Sequence, residues 1–384
     1  MNVLIAPDSF KGSLTAIEVC EIIGRAAREV LPDCTVTPIP IADGGEGTVD
    51  SVLTAVAGSR IPVKVHDPLG RRITACYGIL GDGTAVMEMA AASGLTLVTR
   101  EERDVLHSNT FGTGEMLLDA VRRGADPILI GIGGSATNDG GIGMAAALGA
   151  RFLDGSGAEL SPVPASLSSI RKIDLSGIPA EISEARIVIL SDVRNPLLGP
   201  DGATAVYGPQ KGVTPGMIHP LDQAMEHYIV LLEQTTGKQI RDIPGAGAAG
   251  GLGAGLLAFT RAEIRSGVDA VLEITEFDRK LQDADLVVTG EGRMDAQSAY
   301  GKVVSGIGRR CRDAGVPCVA VVGSTGPGYE RLREYGILRV YPAAQDLPLA
   351  EAMARAPELC YEAACRAFAG IGRDPALTRP AVTR

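Results

Sequence analysis

The chain alternates short, unbroken apolar runs with stretches in which apolar residues recur every three or four positions. Val3-Leu4-Ile5-Ala6 reads as a buried strand. Val19, Ile22, Ile23, Ala26 and Val30 then keep one helical face, with Ser13 or Thr15 available as N-cap and Pro32 marking the stop. Residues 36–41 read as a second strand, 48–57 as a helix ending before Gly58, and 61–65 as extended chain. That is the β-α-β-α-β grammar of a parallel sheet.

The grammar then changes. Residues 73–80 and 84–89 flank Gly81-Asp82-Gly83, a hairpin signal. Irregular Gly/Pro-rich chain follows, carrying apolar runs at 127–132 and 185–190 and a long helical pattern over 217–235. From residue 284 the alternation returns, with strands at 286–288, 316–322 and 337–340 and a helix near 301–314. The last helix is expected to present Met353, Ala356, Cys360, Ala363, Ala364 and Ala367 on one face. Two matching ends around an unlike middle predict a discontinuous, doubly wound domain formed by residues 1–66 and 285–375. An inserted α/β domain would span 67–284, and a flexible tail 376–384.

Composition narrows the chemistry. Formal net charge is −10, aromatic residues are 4% and Trp is absent, which argues against a nucleic-acid footprint or base-stacking platform. Seven scattered Cys without CxxC spacing read as reduced, buried residues of a cytoplasmic protein. No basic leader precedes the first strand and no apolar run is long enough to span a bilayer, so neither export nor a membrane partner is expected. A homodimer is compatible with the sequence.

Three acidic, glycine-punctuated turns follow strand-like runs: Asp8-Ser9-Phe10-Lys11-Gly12-Ser13, Ala42-Asp43-Gly44-Gly45-Glu46-Gly47 and Thr289-Gly290-Glu291-Gly292-Arg293-Met294-Asp295. Ligands of open α/β sheets bind outside the carboxyl ends of the strands, so these turns would converge on a cleft suited to Mg²⁺ and phosphate. Asp43, Glu46 and Glu291 are the candidate metal ligands. Asp8 and Ser9 would shape the phosphate or substrate site, with Lys11 neutralising phosphate or a substrate carboxylate. A second constellation is Gly131-Ile132-Gly133-Gly134-Ser135-Ala136-Thr137-Asn138. It satisfies a loose dinucleotide pattern, and equally reads as an anion cradle of Gly133, Gly134, Ser135, Thr137 and Asn138. Asp192, after the 185–190 run, stands where a general base or metal ligand would. Asn195 and Lys211 could bind substrate or phosphate. The four His form no zinc motif, and neither a Walker loop nor a protein-kinase signature is present.

Read in order, these segments resemble the bacterial type I glycerate kinases, together with Asp192-Val193-Arg194-Asn195-Pro196-Leu197, Tyr207-Gly208-Pro209-Gln210-Lys211-Gly212 and residues 244–253. The resemblance spans residues 1 to about 370. It implies a Rossmann- or flavodoxin-like parallel-sheet domain with an inserted second α/β domain on a mixed sheet. It also implies ATP-dependent phosphorylation of D-glycerate, at the 2-hydroxyl, with ATP and Mg²⁺ meeting the substrate in a cleft. On chemical grounds Asp192 or Asp295 would accept the hydroxyl proton, and Lys11, with Lys211 or Arg293, would offset charge. Phosphorylation at the 3-position and a nicotinamide-dependent oxidoreductase are the alternatives. A two-lobed binding module would leave so many carboxylates beside one lysine unexplained.

Overall fold

The computed structural model describes residues 1–299, 303–371 and 374–377. Its contacts divide the chain into two compact units, the first comprising 1–43, 50–57 and 268 onward, the second 44–49 and 58–267. The sequence pattern places residues 58–66 with the chain ends. In the structure Gly58–His66 instead pairs antiparallel with Arg72–Leu80 along its whole length, so it belongs to the second unit.

The first unit is built on five parallel strands, Asn2–Pro7, Thr35–Pro38, Leu286–Gly290, Cys318–Val322 and Ile337–Pro342. Numbered along the unit, their order is 2-1-3-4-5, the flavodoxin-like arrangement. The strands Leu286–Gly290 and Cys318–Val322 are buried throughout, which is why they read as unbroken apolar runs rather than alternating ones. The second strand ends at Pro38, earlier than expected, where its partner's Pro7 has no N–H to return to the ladder. Ile39 and Ile41 still donate to the carbonyls of Ile5 and Pro7, at 2.8 and 3.0 Å.

Helix Ala16–Val30 starts at a capping box. Thr15 Oγ1 accepts the Glu18 N–H at 3.2 Å, and Glu18 Oε2 accepts the Thr15 N–H at 2.8 Å. Its buried face, including Val19, Ile23 and Ala27, shares a core with Cys360, Ala363, Ala367 and Phe368 of helix Ala356–Ile371. The last helical pattern is in fact two helices, Leu349–Ala354 and Ala356–Ile371. Pro357 suits the first turn of the second and could not continue the first. Met353 therefore leaves the core face assigned to it from periodicity. Lys302 and residues 378–384 of the expected tail lie outside the described residues, and the helix expected near 301–314 is seen from Val303 to Asp313.

The second unit carries a six-stranded mixed sheet. Gly58–His66, Arg72–Leu80 and Ala85–Glu88 run antiparallel in succession, while Ala85–Glu88, Ile128–Gly131, Ile187–Leu190 and Glu263–Arg265 are mutually parallel. Its core joins sheet residues such as Tyr77, Met87, Ile130 and Ile189 to Met225, Tyr228 and Ile229 of helix Pro215–Thr236. Among the described residues no helix is long and apolar enough to cross a membrane.

Candidate active site

The order 2-1-3-4-5 reverses between Asn2–Pro7 and Leu286–Gly290, and a crevice opens outside the carboxyl ends of strands at such a point. A cavity of about 640 Å³ lies there, bordered by Asp8, Ser9, Lys11, Asp43, Glu291, Arg293 and Asp295. Two of the three acidic turns thus meet within one unit, and Asp43 adds the first acidic residue of the third.

Close backbone packing sets the turns. A Cβ at Gly290 would lie 2.0 Å from the Val321 carbonyl oxygen, so only glycine allows the two strand ends to approach this nearly. Asp8 N–H donates to Gly290 O at 2.8 Å, Gly323 N–H to Glu291 O at 3.1 Å and Ser324 N–H to Gly292 O at 3.1 Å. The turn after Leu286–Gly290 is thereby tied to its neighbours on both sides.

Asp8 is half-buried and accepts the Ser9 N–H at 2.6 Å. Desolvation pushes its carboxyl up to about 6, the charge of Asp43 adds to this, and the Ser9 N–H and Lys11 oppose it. The Lys11 ammonium is 3.8 Å from Asp43 Oδ2, with the lysine side chain 79% exposed. Such a pair is weak, and the exposed Lys11 ammonium can turn to a ligand. Arg293 approaches Asp295 at 3.6 Å and is also largely exposed. Asp295 Oδ1 accepts the Gln297 N–H at 2.9 Å, an N-terminal cap for the short turn of helix at Ala296–Ala299. Glu291 is buried at the cavity margin.

The other predicted residues belong to the second unit. A Cβ at Gly131 would lie 2.2 Å from Gly44 O, and one at Gly133 would lie 2.8 Å from Gly45 Cα. The glycines of this loop therefore admit another loop of the chain, and a dinucleotide pyrophosphate would compete with that packing. Lys211 is 1% exposed, and its ammonium donates to Ser135 Oγ and Thr137 O, each at 2.7 Å. Burial pulls it down to about 7, against the opposing charge of Asp139. Asn138 Nδ2 donates to Thr204 Oγ1 at 3.0 Å, while Thr137 Oγ1 and Asn138 Oδ1 are buried without a hydrogen-bond partner among the described residues. The structure thus brings Ser135, Thr137, Asn138 and Lys211 together. Gly134 packs near Ala90. Asn195 braces its own loop, donating to Asp201 O and accepting the Tyr207 hydroxyl. Asp192 is exposed just beyond strand Ile187–Leu190. Glu46 lies on the Gly44–Val49 segment near Glu88, whose burial-raised carboxyl feels its charge.

Sequence reasoning missed two organising carboxylates. Glu88, 8% exposed, accepts the N–H groups of Gly47 and Val49 at 3.1 and 2.7 Å. Asp139, fully buried, accepts four hydrogen bonds, from Thr110 N and Oγ1, Gly141 N and Gly143 N. An acidic residue ending a strand and another amid glycines were the available signals.

The glycerate kinase family profile matches residues 3–371. A protein named glycerate kinase from Halalkalibacterium halodurans is 46% identical over 94% of this chain and 96% of its own. One named glycerate 2-kinase from Escherichia coli K12 is 42% identical over 98% of each. A crystal structure from Salmonella typhimurium LT2, provisionally named glycerate kinase 2, superposes with a TM-score of 0.85 at 41% identity, over 97% of this chain and 98% of that one. The nicotinamide alternative finds no support among these relatives.

Proposed function

From the chain's membership of the glycerate kinase family, we propose that it transfers the γ-phosphoryl group of ATP to the 2-hydroxyl of D-glycerate, giving 2-phospho-D-glycerate. The observation that carries this reading is the switch-point cavity, where carboxylates from two strand ends stand beside two exposed cations. Phosphoryl transfer asks for in-line placement and charge compensation more than for covalent help. Lys11 and Arg293 supply mobile positive charge to the transferred phosphoryl group or the glycerate carboxylate. Lys211 holds the Gly131–Asn138 loop, in which the side chains of Ser135, Thr137 and Asn138 would supply the proposed anion cradle.

The donor set also fits Mg²⁺ brought with the nucleotide. Burial raises the Asp8 carboxyl and the charge of Asp43 adds to the rise, a repulsion that a cation beside them would relieve. Among the described residues no three His, Cys, Asp or Glu form a ready-made cage. Magnesium needs only one or two carboxylates when phosphates complete its shell. Asp43 and Glu291 would hold it, and when bound it would neutralise phosphate charge. Glu46, on the second unit, is tested separately as Glu46→Gln.

Asp295 or Asp192 accepts the proton from the substrate hydroxyl. Asp295 lies in the cavity, with one oxygen already committed to Gln297. ADP release, followed by a coupled assay, is expected to require D-glycerate. Asp295→Asn and Asp192→Asn then separate the two bases, and wild-type turnover in both would remove that role from each. An absence of glycerate-dependent ADP release from folded protein would overturn the proposal.

A further inference from the structure

The cavity has a second character that phosphate, cation and glycerate leave unused. Beyond its acidic border it is walled by Leu347, Leu349, Ala352, Met353, Ala356 and Leu359, contributed by the chain after Ile337–Pro342 and by the two helices that follow. Among the described residues four large hydrophobics are exposed, and two of them, Leu349 at 75% and Met353 at 37%, line this cavity. Exposed apolar side chains gathered at one concave site mark a binding surface more often than chance exposure does.

The wall is held in place. Ala343 and Ala344 N–H groups donate to Val322 O and Gly323 O at 2.8 and 2.9 Å. The Gln345 side-chain oxygen accepts both the N–H and the hydroxyl of Thr325, at 3.0 and 2.8 Å. Met353 Cε comes so near Gly12 that a Cβ there would stand 2.9 Å from it, so the apolar wall reaches the turn that carries Lys11. Acidic and apolar surfaces are thus continuous parts of one cavity rather than separate sites.

The geometry points to this apolar wall as the subsite for the purine ring of ATP, with Leu349 and Met353 packing against the base. D-glycerate is three carbons, each bearing oxygen, and offers no apolar face to such a wall. Of the parts of ATP only the base does, and a neutral base also escapes the repulsion that surrounding carboxylates exert on phosphates. A volume of about 640 Å³ lies in the range of sites that take ligands of nucleotide size. The assignment rests on ATP being the phosphoryl donor, as proposed above.

Titration calorimetry of the full-length protein with Mg·ATP, and separately with Mg·tripolyphosphate, tests it without requiring turnover. Leu349→Ser and Met353→Ser alter exposed positions, so folding is expected to survive; Val206→Ser, at an exposed hydrophobic of the second unit, is the control. The expected result is about tenfold weaker Mg·ATP binding in each cavity variant. Tripolyphosphate binding, the KM for D-glycerate and the control should stay unaltered. Equal Mg·ATP affinity in wild type and both variants would overturn the subsite, as would an equal loss for tripolyphosphate or in the control. Wild-type protein that binds no Mg·ATP would remove subsite and donor together. Tight, base-dependent Mg·ATP binding without glycerate turnover would keep the subsite and overturn only the proposed reaction.

Discussion

Replacing Lys211 by Met removes an ionisable group from a site that holds it at a cost. The ammonium is 1% exposed, and burial brings it from an ordinary 10.5 to about 7. The folded value lies below the unfolded one, so between about pH 7 and 10.5 the unfolded chain binds more protons and stability rises with pH. Below pH 7 the burial penalty is fully expressed, on the order of 4–5 kcal/mol, and it falls by about 2 kcal/mol between pH 7 and pH 9. Methionine is close in shape and has no such dependence, although it leaves Ser135 Oγ and Thr137 O without their donor, at about 1–3 kcal/mol. Urea unfolding of wild type and Lys211→Met at both pH values reads the double difference, in which all other titrating groups cancel. Wild type should gain about 2 kcal/mol on the variant from pH 7 to pH 9. A difference that does not change with pH would refute the claim that a desolvated amine anchors the Gly131–Asn138 loop.

Other consequences follow from individual contacts. In metal-free protein the Asp8 carboxyl should titrate near 6 by carbon NMR, and Asp43→Asn should bring it lower because Asp43 is the second contributor to the rise; no change would show the two carboxylates to be uncoupled. Because that value is raised on folding, the Asp8 contribution to stability diminishes as pH climbs from about 4 to 6, and Asp8→Asn should flatten the unfolding profile there. Glu88→Gln replaces one of two oxygens that accept the Gly47 and Val49 N–H groups. About a tenfold loss of turnover is expected with a small change in melting temperature, and unaltered kinetics would mean that this loop needs no such anchor. Gly131→Ala puts a methyl 2.2 Å from Gly44 O, so a loss of about 3 kcal/mol or more in unfolding free energy is expected, whereas wild-type stability would show that the two loops can part freely.

The βαβ ends were legible because fully buried parallel strands leave unbroken apolar runs and the first helix announces itself through the period of Val19, Ile23 and Ala26 behind an N-cap candidate, Thr15. The hairpin around Gly81-Asp82-Gly83 was legible for the same kind of local reason, with Gly83 N–H closing the turn on Leu80 O. Pairing partners were not. Gly58–His66 folds back on Arg72–Leu80 as a hairpin through residues 67–71, and the apolar pattern of the strand does not say which sheet it joins. Periodicity also misled at Met353, because the pattern runs on across a helix break that Pro357 enforces only from the following turn. At the candidate site, acidic side chains and glycines signalled a loop that something approaches closely. They did not say whether the visitor was ligand or protein, and for Gly131 and Gly133 it is the Gly44–Gly45 backbone. Lys211 read as a cation on a loop; its burial against Ser135 and Thr137 depends on two segments far apart in the chain meeting.

The central claim is tested most directly by incubating the protein with ATP, Mg²⁺ and D-glycerate and resolving the products by ³¹P NMR. The account predicts ADP together with a single new phosphomonoester signal coinciding with added 2-phospho-D-glycerate. A signal coinciding with 3-phosphoglycerate would contradict the proposed position, and no phosphoester from folded protein would contradict the proposed reaction altogether.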